Sequence, residues 1–422
     1  MRFLAALATM LALAGSAAAQ LPRVPLAPGV EVPSLGPVLG DVGGVIGGLA
    51  DPRALADSRL LRLRDLVRAN PRDLALDPGG APVIRDEVLA VAVSPQALTR
   101  AQAAGFRVLR SETLEGLDLA ISVLTPPSGM NPTEAVRRLR KLDPAGQYDF
   151  NHLYFGAGET TGPSPQAPRP GSARRASRIG MIDTGLDPTQ PALRGVAIEQ
   201  RGFAPGGVKP AAHGAAVASL IAGRVGGFSG SAPGSALYVA DVYGAGPRGG
   251  SAEAVVRAFA WLAQSDVQVI NVSLVGPSNA ALQAAVGASQ RRGANVVAAV
   301  GNDGPAAPPM YPASYPGVVA VTGVDSRDRV LVEAGRAAHV DFAAPGANIL
   351  AADGKGGLVT VRGTSFAAPL VAGRLAQLRA DLGRDAAVEA LGHQARDLGA
   401  KGPDKVFGRG LVGEDVRLTV RR

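Results

Sequence analysis

From residue 177 onward, short apolar runs alternate with longer stretches in which apolar residues recur every three or four positions. The runs are "RIGMID", "ALYVADVY", "VQVINVSL", "ANVVAAV" and "GVVAVTGV". The helical stretches are "GAAVASLIAG", "AEAVVRAFAWLAQ", "NAALQAAVGASQRR" and the segment that follows Ser365. Near-continuous apolar strands fit a parallel sheet buried on both faces. Their alternation with helices predicts an α/β sandwich. Ligands in such sheets sit beyond the carboxyl ends of the strands.

The pattern is different before residue 156. "EVLAVAVS", "FRVLRSE" and "LDLAISVL" read as strands, and "PQALTRAQAAG" as a helix opened by proline. "NPTEAVRRLRKL" predicts a second helix, with Asn131 as cap, Pro132 at its first position and Glu134 completing a capping box. "YDFNHLYF" closes the unit as an extended tail. The order β-α-β-β-α-β over 83–155 is that of a small α+β, ferredoxin-like module.

Ahead of it, Asp51-Pro52 reads as a cap and first helical position. An amphipathic helix through Leu60, Leu61, Leu63 and Leu66 follows and ends at Asn70-Pro71. Residues 20–50 are rich in Pro and Gly, so 20–82 reads as a lead-in plus this helix. Residues 156–176 carry Gly, Pro, Ser and Thr with few apolar residues and predict an exposed, cleavable linker.

The start, "MRFLAALATMLALAGSAAAQ", has one positive residue, a short apolar run and Ala-Ala-Ala at 17–19. That is the pattern of a signal peptide cut after Ala19. The run is shorter than the roughly 20 residues a membrane-spanning helix needs. No later segment is long and apolar enough to span. A soluble, exported protein is expected, periplasmic or extracellular, with no membrane anchor once 1–19 are removed.

Composition narrows the picture further. The chain of 422 residues contains no cysteine, which excludes disulfides, thiol nucleophiles and thiolate metal sites. Its net charge is +8, but the arginines are scattered and aromatics make up only 4%, so no nucleic-acid platform is expected. His152, His339 and His393 lack acidic or imidazole neighbours at metal-ligand spacing.

Four polar residues stand at sheet-to-helix corners. Asp183 follows "RIGMI", His213 opens "HGAAVASLIAG", Asn302 follows "VVAAV", and Ser365 opens "FAAPLVAG". Each has a bland reading. Asp183 and Asn302 suit turns, His213 suits a helix start, and Thr364 or Ser365 suits an N-cap. Together they supply what acyl transfer needs. A serine hydroxyl requires an adjacent base, and histidine is suited to that task. A carboxylate fixes the imidazole tautomer. The Ser365 N–H and the Asn302 amide would serve a developing oxyanion.

"IDTG", "HGAAVASLIAG", "AAVGNDGP" and "GTSFAAPLVAG" resemble the four signature blocks of the subtilisin-like serine peptidases, or subtilases. "YPASYPGVVAVTGV" resembles the segment between the family's asparagine and serine blocks. The likeness covers about 177–380. It implies a mostly parallel subtilisin-like sheet over 177–422 and a serine endopeptidase acting through an acyl-enzyme. Asp183, His213 and Ser365 would form the triad, Asn302 the side-chain oxyanion donor, and Ser273, Leu274, Val275 and Gly276 the substrate pocket.

The resemblance also implies that 83–155 is a propeptide that folds and inhibits the peptidase, with maturation by self-cleavage between about Tyr154 and Ser177. The expected partners are protein or peptide substrates and the chain's own propeptide, and a monomer is expected. No cofactor is required for the chemistry. The family often binds structural calcium, for which the sequence carries no signature. The alternative is a non-catalytic binding scaffold on the same fold.

Three positions depart from the family's pattern. Ala215 stands where threonine is usual, Gln190 where histidine is common, and Val275 where glycine is common beside the primary specificity pocket. A branched side chain at 275 predicts a preference for small or medium apolar residues over large aromatic ones.

Overall fold

The computed structural model describes residues 52–163 and 177–416. The expected signal peptide, the lead-in up to Asp51 and most of the expected linker lie outside the described residues.

Seven parallel strands form the central sheet. In spatial order they are Phe342–Pro345, Val319–Val324, Asn295–Ala299, Val269–Val272, Arg178–Asp183, Ala236–Asp241 and Ile198–Gly202. Successive side chains point to opposite faces of a strand. Ile179, Met181, Val297 and Ala299 accordingly join one buried cluster, with the helices Ala212–Ala222 and Thr364–Arg379. Ile182, Val296, Ala298 and Val300 join the other, with the helices Ala252–Gln264 and Ala280–Arg291. The apolar runs had to be continuous because both faces are covered.

The N-terminal module has the expected element order. Its antiparallel sheet places Gln147–His152 beside Pro82–Val91, then Leu119–Thr125, then Arg107–Leu114. A short strand, Leu74–Leu76, pairs with the start of Pro82–Val91. Both helices of the module are capped at their N-termini. Ser94 Oγ accepts the Ala97 N–H at 3.2 Å, and Asn131 Oδ1 accepts the Glu134 N–H at 2.9 Å.

One face of this sheet packs on its own helices through Val88, Ala90, Leu124, Val136 and Leu139. The other, with Leu89, Val91, Ile121 and Val123, shares a core with Phe259, Trp261, Leu282 and Ala285 of the main domain. A polar seam borders the contact. Arg110 binds both carboxylate oxygens of Glu253 at 2.8 and 2.6 Å, and Arg248 reaches the buried Glu87 at 2.9 Å.

Three expectations change. The first helix, Pro52–Ala69, buries Leu55 and Leu63, whereas Leu61 is 55% exposed; with Leu60 only half-buried, its inner stripe is narrower than the leucines suggest. Neither Thr364 nor Ser365 caps its helix: the N-cap is Gly363, at φ 135°. Finally, the start of the expected exposed linker is held as strand, with Phe155–Gly156 paired to Leu274–Val275 and Glu159–Pro163 paired to Leu358–Arg362. Backbone pairing of this kind needs no apolar side chains.

Candidate active site

The structure gathers Asp183, His213, Ser365 and Asn302 at the carboxyl edge of the central sheet. Asp183 ends the strand Arg178–Asp183 and is buried, and its Oδ1 accepts the Thr184 N–H at 2.7 Å. His213 is the second residue of its helix and caps nothing. Its Nδ1 lies 2.8 and 3.0 Å from the two carboxylate oxygens of Asp183, and its Nε2 lies 2.9 Å from Ser365 Oγ. A carboxylate only accepts, so the Nδ1–H donates to Asp183. Nε2 is then left as the acceptor for the serine hydroxyl.

Two side chains set the backbone at the serine. Ser273 Oγ donates to the Ser365 carbonyl at 2.9 Å and itself accepts from Asn271 Nδ2 at 2.8 Å. Thr364 fixes Asn302: Asn302 Oδ1 accepts both the Thr364 N–H and its hydroxyl at 3.0 Å. With Oδ1 committed, the amide's donor end faces the other way.

A chain segment of the protein itself runs through the cleft. The Tyr154 N–H donates to the Gly250 carbonyl at 2.8 Å, Phe155 and Gly156 pair with Val275 and Leu274, and the Ala157 N–H reaches the Ser273 carbonyl at 3.3 Å. The Ala157 carbonyl accepts the Ser365 N–H at 2.8 Å. A Cβ placed on Gly363 would lie 2.6 Å from Asn302 Nδ2, 2.7 Å from the Ala157 oxygen and 2.5 Å from Gly158 Cα. The asparagine donor end, the carbonyl and the next residue therefore converge on Gly363, where only glycine fits and tolerates the positive φ. A Cβ on Gly158 would collide with Ser365 Oγ and the Phe366 ring.

Sequence reasoning located the four corner residues and the edge Ser273–Gly276. It missed Ala157 and Gly158, which lie in the cleft, and also Phe366, whose ring stands 5.2 Å from that of His213. Met310 was missed too, because only the fold brings it beside Val275. Gln190, one of the departures, is buried and its Oε1 accepts the Gly356 N–H at 3.1 Å. His152 is buried and bonds Asp77 at 3.1 Å and Asn279 at 3.0 Å. Among the described residues, no three His, Asp or Glu gather as a cation site, and no helix is long and apolar enough to cross a membrane.

A buried Asp–His–Ser chain on a parallel α/β sheet, with backbone and amide donors at one point, defines a serine-type peptidase, a hydrolase. Residues 174–410 match the model of the subtilase family, to which this chain belongs. It is 32% identical to Subtilisin BL of Lederbergia lenta over 263 residues, 60% of this chain and 94% of that one. It is 32% identical to thermitase of Thermoactinomyces vulgaris over 248 residues, 57% of this chain and 88% of that one. In fold it resembles fervidolysin of Fervidobacterium pennivorans, with a TM-score of 0.67 at 20% identity, covering 81% of this chain and 62% of that one. Subtilases need no cofactor for catalysis.

Proposed function

We propose that this chain is an exported serine endopeptidase made as a precursor, and that it cuts itself between Ala157 and Gly158. One observation carries the reading: the Ala157 carbonyl accepts the Ser365 N–H while Gly158 lies against Ser365 Oγ. The N-terminal module is the propeptide, and its tail lies in the cleft as a substrate strand. Strand addition of this kind draws affinity from main-chain bonds and selectivity from side-chain pockets. Residues 1–19 are the export signal.

In this mechanism Ser365 Oγ attacks the Ala157 carbonyl carbon as its proton passes to His213 Nε2. Asp183 holds the Nδ1 proton and offsets the imidazolium charge. The oxygen of the tetrahedral adduct takes hydrogen bonds from the Ser365 N–H and Asn302 Nδ2. His213 then gives its proton to the Gly158 nitrogen, and the peptide bond breaks to leave Ala157 esterified to Ser365. Water, deprotonated by His213, attacks the ester. The products are an Ala157 carboxylate, a Gly158 amine and the restored serine. The same steps serve other polypeptides once the propeptide leaves.

The test is Ser365→Ala in the full chain. The variant should accumulate as an uncut precursor and take up no fluorophosphonate label, while the parent is cut and labelled. Normal processing of the variant would assign the cut to another protease.

A further inference from the structure

The tail in the cleft uses its side chains unevenly. Ala157, whose carbonyl accepts the Ser365 N–H, is itself buried. It belongs to the same buried cluster as Val275 and Met310. A Cβ on Gly301, at the end of the strand that leads to Asn302, would meet both Val275 methyls and Met310 Cγ at 3.6 Å. Val275 and Met310 therefore meet beside Gly301.

Tyr154 stands three residues earlier. Its side chain is fully buried and joins the cluster of Tyr243, Ala252 and Leu274. Its hydroxyl donates to the Pro277 carbonyl at 2.8 Å. Room for the ring depends on Gly276, where a Cβ would approach ring atoms at 2.5, 2.7 and 3.0 Å. Burial pushes the phenol well above its ordinary pKa, so it remains a neutral donor.

We propose that this peptidase reads its substrates at the residue three before the scissile carbonyl as well as at the cut, with Tyr-Xaa-Xaa-Ala-Gly as its preferred segment. Met310 joins Val275 in restricting the position next to the cut to alanine or glycine. Gly276 and the Pro277 carbonyl select tyrosine upstream. This rests on the peptidase reading above and specifies its substrates. The half-buried Pro277 carbonyl loses this donor when phenylalanine stands in place of tyrosine, so phenylalanine is a poorer occupant. Phe366 adds the preference for glycine after the cut.

The experiment uses the self-processed enzyme and quenched fluorogenic peptides copied from residues 150–162. One series varies the tyrosine to Phe, Leu and Ala, and another varies the alanine to Val, Leu and Phe. We expect kcat/KM to fall about tenfold or more for Tyr to Phe, about a hundredfold for Tyr to Ala, and about a hundredfold for Ala to Phe. Val275→Gly combined with Met310→Ala should restore cleavage after Phe. Gly276→Ala should collapse the ratio between the Tyr and Ala peptides.

If the paired variant does not fold, the two peptide series on the parent enzyme still decide. An active enzyme that cuts after Phe or Leu as fast as after Ala, or ignores loss of the tyrosine, overturns this inference alone. An unprocessed chain that neither takes the label nor cuts any peptide overturns the peptidase reading, and this inference with it.

Discussion

Arg59 pairs with Asp303 at 2.7 Å, and each side chain is only 14% exposed. The first helix of the N-terminal region thus reaches the residue that follows Asn302. Burial pushes the Asp303 carboxyl up, while Arg59 and Arg62 pull it down. Removing one partner of a largely buried pair leaves the other charge poorly solvated. Arg59→Ala should therefore weaken inhibition of the mature enzyme by its released N-terminal fragment. Because the pair keeps some solvent contact, a loss of about 1–3 kcal/mol is expected, below the full cost of a fully buried pair. An inhibition constant unchanged by the substitution would show that this contact contributes nothing to docking.

Asn302→Ala should lower kcat by about 10² to 10³, the cost of one oxyanion donor in peptidases of this class, with KM little changed. Thr364 occupies Asn302 Oδ1 with two bonds, which leaves Nδ2 as the end that would serve an oxyanion. Steady-state kinetics on one peptide separates the possibilities. A loss confined to KM would make Asn302 a substrate-positioning residue.

Gly158→Ala should slow self-processing by about 10² or more, since a displacement near 1 Å at the reacting carbon is enough for such a loss. The added methyl would collide with Ser365 Oγ and Phe366. A time course of precursor conversion after refolding reads this directly. Processing at the parent rate would mean that residue 158 is not at the cut.

Asp77 is held below its ordinary value: burial opposes this, but the bonds from His152 and the Ala81 N–H outweigh it. A carboxylate with a depressed folded value adds stability above its unfolded pKa, and that stability is lost as pH falls through the folded value. The Asp77 contribution should therefore be complete above about pH 4 and fade below it. Thermal midpoints of the Ser365→Ala precursor and its Asp77→Asn derivative should converge as pH drops below 3.8. A constant gap down to pH 2 would contradict this assignment.

Much of the site was legible because its residues lie in short motifs at strand ends. Asp183 and Asn302 follow apolar runs, and His213 and Ser365 open helices, so period and position located all four. The β-α-β-β-α-β module was readable from caps such as Asn131 and from alternation. The edge strand Ile198–Gly202 was not, because its pattern is only half-buried and offers no apolar run. The Gly363 cap was hidden because Thr364 and Ser365 look like better caps, while their oxygens serve Gly301, Asn302 and His213 instead. The Gly-rich segment after Phe155 read as exposed because main-chain pairing leaves no hydrophobic trace. Met310 is 35 positions from Val275 in the sequence, and only the fold brings them together.

The self-cleavage claim is tested most directly by the intact mass of the N-terminal fragment released when the purified precursor matures. The N-terminal fragment should end at Ala157, paired with a catalytic fragment that begins at Gly158 before any trimming. A fragment ending elsewhere, or a fragment ending at Ala157 that also forms in the Ser365→Ala variant, would contradict it.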